Sequence, residues 1–186
     1  MSEIINGLIS GDGQKNRSEL IFNAKLLKNM DILLLTIGKT SISYVKEGIA
    51  EYVKRLKRFL PYSILELPDA RKAGKISEQE QKEAEGEQIL RGLNDSDMVV
   101  LLDERGKEYT SREFAGFMER AMGSGRKRLV FVVGGPYGFS KRVYDRADSL
   151  LSLSRMTFNH EMVRLFFTEQ IYRGVSILHG LPYHHD

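Results

Sequence analysis

The chain has 186 residues, of which 41% are hydrophobic and 28% charged, and its formal net charge is +3. A chain of this length favours one compact domain, which buries roughly 70% of the surface that its unfolded form exposes. The absence of cysteine excludes a disulfide scaffold and thiolate metal sites, and a cytoplasmic protein is the simplest expectation. The apolar runs are far shorter than the roughly 20 residues that span a bilayer, which excludes a helical membrane protein.

The positive charge is concentrated in two segments. Residues 39–75 contain nine basic and four acidic side chains, and residues 120–147 contain seven basic and one acidic. Residues 76–119, which lie between them, contain five basic and twelve acidic side chains. The basic segments could bind a polyanion such as RNA, although a solvated helix face is the more common explanation for any single charge cluster.

The first 29 residues lack the uninterrupted apolar core of a signal peptide. They are rich in Ser, Asn, Gly and Lys, and we expect residues 1–29 to form a poorly ordered N-terminal extension. The folded domain is expected to span residues 30–186, beginning at Met30 just before the first apolar run.

From residue 30 onward, apolar strand-like runs alternate with helical patterns. The sequence predicts strands at residues 32–37, 62–67, 98–103, 129–133 and 149–154. Helices are predicted between them at 45–56, from Ser77 to about 93, from Thr110 to about 121, after Ser140, and from about 160 to 178. Ser77 and Thr110 each precede a Glu at the capping-box distance, which marks two helix starts. This alternation predicts an α/β fold with a mostly parallel sheet.

Three segments follow the ends of the third, fourth and fifth predicted strands, at residues 101–107, 132–140 and 152–160. Ligands bind beyond the carboxyl ends of the strands in open parallel sheets. In the middle segment, Gly134 and Gly135 allow close approach of the backbone to a ligand, and Gly138 allows a positive φ. The glycine pattern is weak alone, because tight strand-to-helix turns use the same residues. Neither the Rossmann glycine fingerprint nor the phosphate-loop motif is present.

The histidines all lie near the C-terminus, at His160, His179, His184 and His185. No pair has the spacing of a helical metal site and no cysteine supports one, so no metal is expected. Pro182 favours a short ordered tail that carries Tyr183 and His184 to a surface or to a partner subunit, and plain disorder of the tail is the alternative. Arg164 and Arg173, on the last predicted helix, are either surface charges or interface residues.

Four segments closely resemble the RlmH family of ribosomal RNA large-subunit methyltransferases, within the SPOUT superfamily: MDILLLTIGKT, LLDERGK, VVGGPYGFS and SLSRMTFNHEMVRLFFTEQIYRGVSILHGLPYHH. The resemblance covers residues 30–186 in order. It implies an α/β fold with a C-terminal trefoil knot, an exception to the rule against threaded chains, and it implies a homodimer. The implied activity is transfer of a methyl group from S-adenosylmethionine to N3 of a pseudouridine in 23S rRNA of the assembled ribosome.

Matching the motifs of this family places the cofactor site on the three predicted strand-end loops. The cofactor-binding residues that the resemblance implies are Leu102, Gly134, Leu153, Ser154, Arg155, Met156, Thr157 and Phe158. The proton on N3 has to leave or be shared before the nitrogen attacks, and His184 is the first candidate base because imidazole takes up protons near neutral pH. Tyr183 lies beside it, and Arg164 or Arg173 could stabilise the anion that forms or hold a phosphate.

Two other functional classes stay open. A non-catalytic RNA- or ribosome-binding module would keep the basic segments but would not bind S-adenosylmethionine. A nucleotide-binding oxidoreductase would need a glycine fingerprint after the first strand, where the sequence reads TIGKTS.

Overall fold

The structure is a computed structural model that describes residues 30–70 and 77–184. The predicted extension at 1–29 lies outside the described residues, as do residues 71–76, which include the end of the first basic segment, and the last two residues. The strands are β1 (Asp31–Ile37), β2 (Tyr62–Leu67), β3 (Met98–Glu108), β4 (Arg128–Val133) and β5 (Ser149–Ser152). The helices are α1 (Ser43–Leu56), α2 (Glu78–Arg91), α3 (Ser111–Gly123), α4 (Lys141–Arg146) and α5 (Met162–Leu178).

The five strands form one sheet in which every neighbouring pair is parallel, in the order β2-β1-β4-β3-β5. Successive side chains of a strand point to opposite faces, so Leu34 of β1 belongs to one hydrophobic cluster while Leu33 and Leu35 belong to another. All residues of β1 after Asp31 are buried, as expected for a strand covered by helices on both faces. The predicted α/β fold with a parallel sheet is confirmed.

Helices α1, α3 and α5 contribute to the cluster on one face of the sheet, and α2 and α4 to the cluster on the other. Helix α5 packs against both α1 and α3, and its Phe167 ring lies 4.7 Å from the ring of Phe131 in β4, centroid to centroid. On the opposite face, Ile89 of α2 and Val143 of α4 pack against the sheet. The long helix α5 is therefore built into the core of the domain.

Both predicted capping boxes are formed. The N–H of Ser77 donates to the Glu80 carboxylate at 2.8 Å, and the N–H of Glu80 donates to the Ser77 hydroxyl at 3.2 Å. Thr110 and Glu113 form the same pair of bonds, at 2.8 and 3.3 Å. Each box satisfies N–H groups that the first turn of a helix leaves without partners.

Helix α4 begins after Ser140, as predicted, but without a side-chain cap. Ser140 stands at the N-cap position, but its hydroxyl makes no capping hydrogen bond. This hydroxyl faces α2 so closely that a Cβ atom on Gly86 would lie 2.4 Å from it. Packing between the two helices therefore determines the orientation of the side chain.

Several element boundaries differ from the sequence predictions by one or more residues, and three of these differences lie near the carboxyl ends of β3 and β5 or at the start of α5. Strand β3 continues to Glu108, because it pairs with β5 again after a register shift between Leu102 and Lys107. Strand β5 ends at Ser152, two residues earlier than predicted. Helix α5 begins at Met162 rather than near residue 160.

Candidate active site

The loops that follow β3, β4 and β5 surround one cavity of about 670 Å³. This volume is in the range of sites that bind small molecules and cofactors. The cavity lies at the carboxyl ends of these strands, where open parallel sheets bind ligands. The sequence therefore correctly predicted which three loops come together.

Seven of the eight predicted cofactor residues line this cavity: Leu102, Gly134, Leu153, Ser154, Met156, Thr157 and Phe158. Arg155 does not line it; its side chain is 90% exposed, and its Nε lies 3.6 Å from the Glu108 carboxylate. The lining combines apolar side chains such as Val133 and Leu151 with the hydroxyl groups of serine and threonine. Such a surface offers apolar contact to a flat ring and hydrogen bonds to polar groups.

The glycine loop after β4 has a fixed backbone conformation. The N–H of Gly138 donates to the carbonyl of Gly135 at 3.1 Å, and Gly138 has the predicted positive φ, +76°. A Cβ atom on Gly135 would lie 2.1 Å from Oε2 of Glu85, a buried residue of α2. The other carboxylate oxygen of Glu85 accepts a hydrogen bond from Gln81 at 2.7 Å. Helix α2 therefore supports the loop from behind, and a side chain at position 135 would have to displace the buried Glu85 carboxylate.

A polar cluster at the mouth of the cavity was not predicted from the sequence. Asp103 accepts hydrogen bonds from the backbone N–H of Arg105 at 2.9 Å, from its Nε at 3.1 Å, and from the Tyr144 hydroxyl at 2.5 Å. Burial raises the pKa of Asp103, but the hydrogen bonds from Arg105 and Tyr144 together outweigh it and hold the pKa below its usual value. Because Tyr144 belongs to α4, the cluster joins the loop after β3 to the helix that follows the glycine loop.

The Tyr144 phenol is a neutral hydrogen-bond donor near neutral pH. Burial, followed by the hydrogen bond to Asp103, raises the pKa of Tyr144 to about 12. The sequence motif LLDERGK singled out the segment that contains Asp103, but no spacing rule connects it with Tyr144, which lies 41 residues later. This pairing is visible only in the folded chain.

The residues before α5 connect the cavity to the loop between β1 and α1. His160 lines the cavity, and the adjacent Glu161 carboxylate accepts the N–H groups of Ser41 and Ile42 at 2.7 and 2.9 Å. Burial raises the pKa of Glu161, but the hydrogen bonds from Ile42 and Ser41 outweigh it, and the pKa falls to about 2. The N-cap residue of α1, Ile42, has no capping side chain, so Glu161 takes over this function from a distant part of the chain.

Arg164 is buried, which corrects its interpretation as a surface charge. It is only 1% exposed, and its guanidinium donates to the carbonyls of Ile37 at 2.7 Å and Gly38 at 3.0 Å. Its Nε donates to the carbonyl of His160 at 3.1 Å. Burial lowers the pKa of Arg164, against the opposite effect of nearby carboxylates. Arg164 does not line the cavity; it holds the backbone of two segments beside it.

The C-terminal tail packs against its own chain, outside the cavity. The Tyr183 hydroxyl donates to the Glu169 carboxylate at 3.0 Å and lies 3.2 Å from the Tyr52 hydroxyl. The Arg173 guanidinium binds Glu169 at 2.6 Å and lies 4.9 Å from the centre of the Tyr183 ring. Burial, with the hydrogen bonds to Tyr52 and Glu169, raises the pKa of Tyr183. Of the two alternatives for the tail, the structure has the ordered one through Tyr183, and neither Tyr183 nor His184 is among the residues that line the cavity.

Most arginines of the second basic segment form ion pairs within the protein. Arg128 binds Asp97 through Nε at 2.8 Å, and Arg126 binds Asp148 at 3.3 Å. Arg146 lies 3.7 Å from the same Asp148 carboxylate. These residues lie near the amino ends of β3, β4 and β5, at the edge of the sheet opposite the cavity. This part of the segment is therefore not a free basic surface for RNA beside the cavity.

Metal-binding and membrane-spanning features are absent from the part of the chain that the structure describes. Within residues 30–70 and 77–184, no three His, Asp or Glu side chains are grouped so that they could hold a metal ion. None of the helices α1 to α5, which are those of the described residues, is long and apolar enough to cross a bilayer.

Comparisons with known proteins agree with this geometry. A family model described as "Predicted SPOUT methyltransferase" matches residues 30–184. The protein named ribosomal RNA large subunit methyltransferase H from Parabacteroides distasonis is 52% identical over 157 residues, which cover 84% of this chain and 100% of that protein. Proteins of the same name from Christiangramia forsetii and Porphyromonas gingivalis are 51% and 49% identical, over 84% of this chain and 99% and 100% of their own lengths. The chain therefore belongs to the RlmH group of the SPOUT methyltransferase family, the family that its motifs resemble.

Proposed function

We propose that the protein methylates the RNA of the large ribosomal subunit, using S-adenosylmethionine to methylate N3 of a pseudouridine in 23S rRNA of the assembled ribosome. The relatives carry the name of a large-subunit rRNA methyltransferase and share about half of their residues with this chain. The observation that carries the proposal is the convergence of the three motif loops on one cavity. A ribosomal substrate places the protein in the cytoplasm, and SPOUT membership implies that the C-terminal part of the fold is knotted.

The residues of the cavity fit the proposed cofactor. Leu102, Leu153 and Phe158 offer apolar contact to an adenine ring, while Gly134 and Ser154 provide backbone and hydroxyl groups for hydrogen bonds. The close packing of the glycine loop on α2 keeps these backbone groups in place. When bound, S-adenosylmethionine supplies a methyl group activated by a sulfonium.

The main contribution of the protein to the reaction is alignment. Methyl transfer is an in-line displacement, and holding the reacting atoms in line is worth about 7 to 11 kcal/mol. Arg164 serves this alignment indirectly, because its hydrogen bond to the carbonyl of His160 holds the backbone of a residue that lines the cavity. We assign it as a positioning residue rather than as a group that contacts the substrate.

We assign His184 as the base that accepts the proton from N3. A positioned base adds roughly 10² to 10⁴ to the rate, and imidazole is suited to take up a proton near neutral pH. Tyr183 is not the base, because its pKa is raised; its contacts with Glu169 and Tyr52 hold the segment that carries His184.

The position of the tail supports a homodimer in which the tail of one protomer completes the cavity of the other. Tyr183 packs on α1 and α5 of its own chain, so His184 does not reach the cavity of that chain in this conformation. An apolar groove that includes Tyr109, Phe158 and Phe166 continues from the cavity and shares Phe158 with it. Phe166 is exposed, and a second copy of the chain would bury it.

Mass spectrometry of 23S rRNA nucleosides tests the proposal. A strain in which the gene is deleted is expected to lose one N3-methylpseudouridine, and the wild-type gene is expected to restore it. Retention of this nucleoside in the deletion strain would contradict the proposal. Calorimetry distinguishes the methyltransferase from the alternative, a ribosome-binding protein without catalytic activity. Such a protein would show no saturable binding of S-adenosylmethionine.

A further inference from the structure

We propose that Arg105 binds a backbone phosphate of the substrate RNA at the mouth of the cavity. The inference rests on the proposed function, since it names a contact between that site and its RNA substrate. Arg105 belongs to the C-terminal part of β3, it lines the cavity, and its side chain is 64% exposed. It therefore lies where an RNA strand would pass when one of its bases enters the cavity.

The guanidinium of Arg105 is held in a fixed position. Its Nε and Nη2 bind the two oxygens of Asp103 at 3.1 and 3.2 Å, and Nη2 also contacts the Tyr144 hydroxyl. The central carbon of the guanidinium lies 4.9 Å from the centre of the Tyr144 ring. An arginine that is already oriented in this way loses less conformational freedom when it binds a ligand.

The hydrogen bonds of the cluster leave one edge of the guanidinium for a ligand. Within the described residues, the bonds of Arg105 involve Nε and Nη2, so the two N–H groups of Nη1 remain available. The Asp103 carboxylate, in contrast, accepts four hydrogen bonds, two on each oxygen, which fills its acceptor sites. Asp103 is therefore the residue that orients Arg105, and not an acceptor for hydroxyl groups of a ligand.

The available edge suits a phosphate. Guanidinium N–H groups bind phosphate oxygens through strong, charge-assisted hydrogen bonds, and phosphates are the groups that an RNA backbone presents to a protein surface. Lys82 of α2 lines the same cavity and adds a second positive charge. Glu104 also lines the mouth, so the net charge there is small. Recognition of the phosphate therefore depends on the oriented N–H groups of Arg105 and not on the overall charge.

Steady-state methylation of 70S ribosomes from the deletion strain tests this contact. Arg105→Ala is expected to raise the KM for ribosomes about tenfold, the loss of one charge-assisted contact, while kcat and the Kd for S-adenosylmethionine stay at wild-type values. The salt slope of ribosome binding should fall by about one. The matched control is Arg91→Ala, which removes a 78% exposed arginine that is paired with Glu87 on α2 and does not line the cavity. This control should behave as the wild type.

Arg105→Lys tests whether binding depends on the oriented guanidinium or only on its positive charge. Lysine keeps the positive charge but cannot bind both oxygens of Asp103, so the KM should lie between those of the wild type and Arg105→Ala. If Arg105→Lys had the wild-type KM, the orientation of the guanidinium by Asp103 would have no role in binding the phosphate.

Other outcomes would overturn the assignment of a phosphate ligand. Unchanged KM and salt slope in Arg105→Ala would show that Arg105 does not touch the RNA. A matching loss of S-adenosylmethionine affinity would assign Arg105 to the carboxylate of the cofactor instead. A wild-type protein that binds ribosomes without methylating them would contradict the proposed function, whereas ribosome affinity and its salt slope would still decide the role of Arg105.

Discussion

Glu161 and Ser41 lie 120 residues apart in the sequence, yet the Glu161 carboxylate accepts both the N–H of Ser41 at 2.7 Å and its hydroxyl at 2.6 Å. The N–H of Ile42 donates to the same carboxylate. The negative charge thus lies at the N-terminus of α1, where the helix dipole favours it. Because His160 lines the cavity, this long-range cap also connects the cavity wall to the loop between β1 and α1.

Glu161→Gln should change the pH dependence of stability. The pKa of Glu161 in the folded protein is about 2, below its value in the unfolded chain. Its contribution is therefore complete at neutral pH and is lost as the pH falls from about 5 towards 2. The variant should be less stable at pH 7 by about 1 kcal/mol and should lose less stability in acid. Urea unfolding at several pH values measures both effects.

The control for this experiment is Glu83→Gln, on the exposed side of α2. Glu83 contacts Gln79 one turn earlier and caps no other helix, so its substitution should leave the pH profile unchanged. If Glu161→Gln and Glu83→Gln gave the same profile, Glu161 would not stabilise α1.

Arg164→Met should mainly affect folding. Removal of the guanidinium leaves the buried carbonyls of Ile37 and Gly38 without their donors, and the expected cost is about 3 to 5 kcal/mol. The matched control, Arg55→Met, changes a more exposed arginine that pairs with Glu51 one turn away and should cost less than about 1 kcal/mol. A variant that kept wild-type stability in urea but lost activity would instead place Arg164 in the chemistry.

Gly106→Ala should disrupt the pairing of β3 with β5. A Cβ atom at this position would lie 2.5 Å from backbone atoms of Leu151, and backbone cannot move aside as a flexible side chain can. We expect a loss of about 1 to 3 kcal/mol and weaker cofactor binding, because Leu151 lines the cavity. Gly123→Ala, where no atom lies within 4 Å of the added Cβ, is the control and should be neutral or slightly stabilising. Equal thermal unfolding curves for the two variants would contradict the expectation.

The sequence predicted the features of the fold that local patterns determine. The apolar run of β4 and the capping boxes at Ser77 and Thr110 need only a few neighbouring residues to be recognised, and the structure contains all three. The extension of β3 through Lys107 could not be predicted, because residues 104–108 are mostly polar and resemble a loop. Pairing with Leu151 of β5 makes them a strand.

In the site, too, the features that depend on distant parts of the chain could not be predicted. That loops after the strands come together could be predicted, since carboxyl ends of parallel strands share one edge of a sheet, and the family motifs singled out the three that surround the cavity. The contact between Asp103 and Tyr144 and the burial of Arg164 could not be predicted from neighbouring residues. In each case the partner comes from another element, such as the carbonyl of Ile37 at the end of β1 for Arg164.

His184→Ala should slow the chemical step without weakening cofactor binding. Loss of a positioned base costs roughly 10² to 10⁴ in rate, and His184 is not among the residues that line the cofactor cavity of its own chain. The rate of the chemical step is measured by single-turnover methylation at a saturating concentration of ribosomes. Calorimetry with S-adenosylmethionine is the control for cofactor binding. An unchanged single-turnover rate would remove His184 from this role.

A mixing experiment tests whether the tail of one protomer serves the cavity of the other. One variant is His184→Ala, which keeps its cavity, and the other is Gly134→Glu, which places a large charged side chain in the cavity and is first confirmed by calorimetry to bind no cofactor. Each variant alone should be inactive. In a mixed dimer, the intact cavity of the first faces the intact tail of the second, so random mixing should restore about a quarter of the wild-type activity. If native mass spectrometry detects mixed dimers and no activity returns, the tail must act within its own chain, and Tyr183 would have to leave Tyr52 and Glu169 before His184 could reach the cavity.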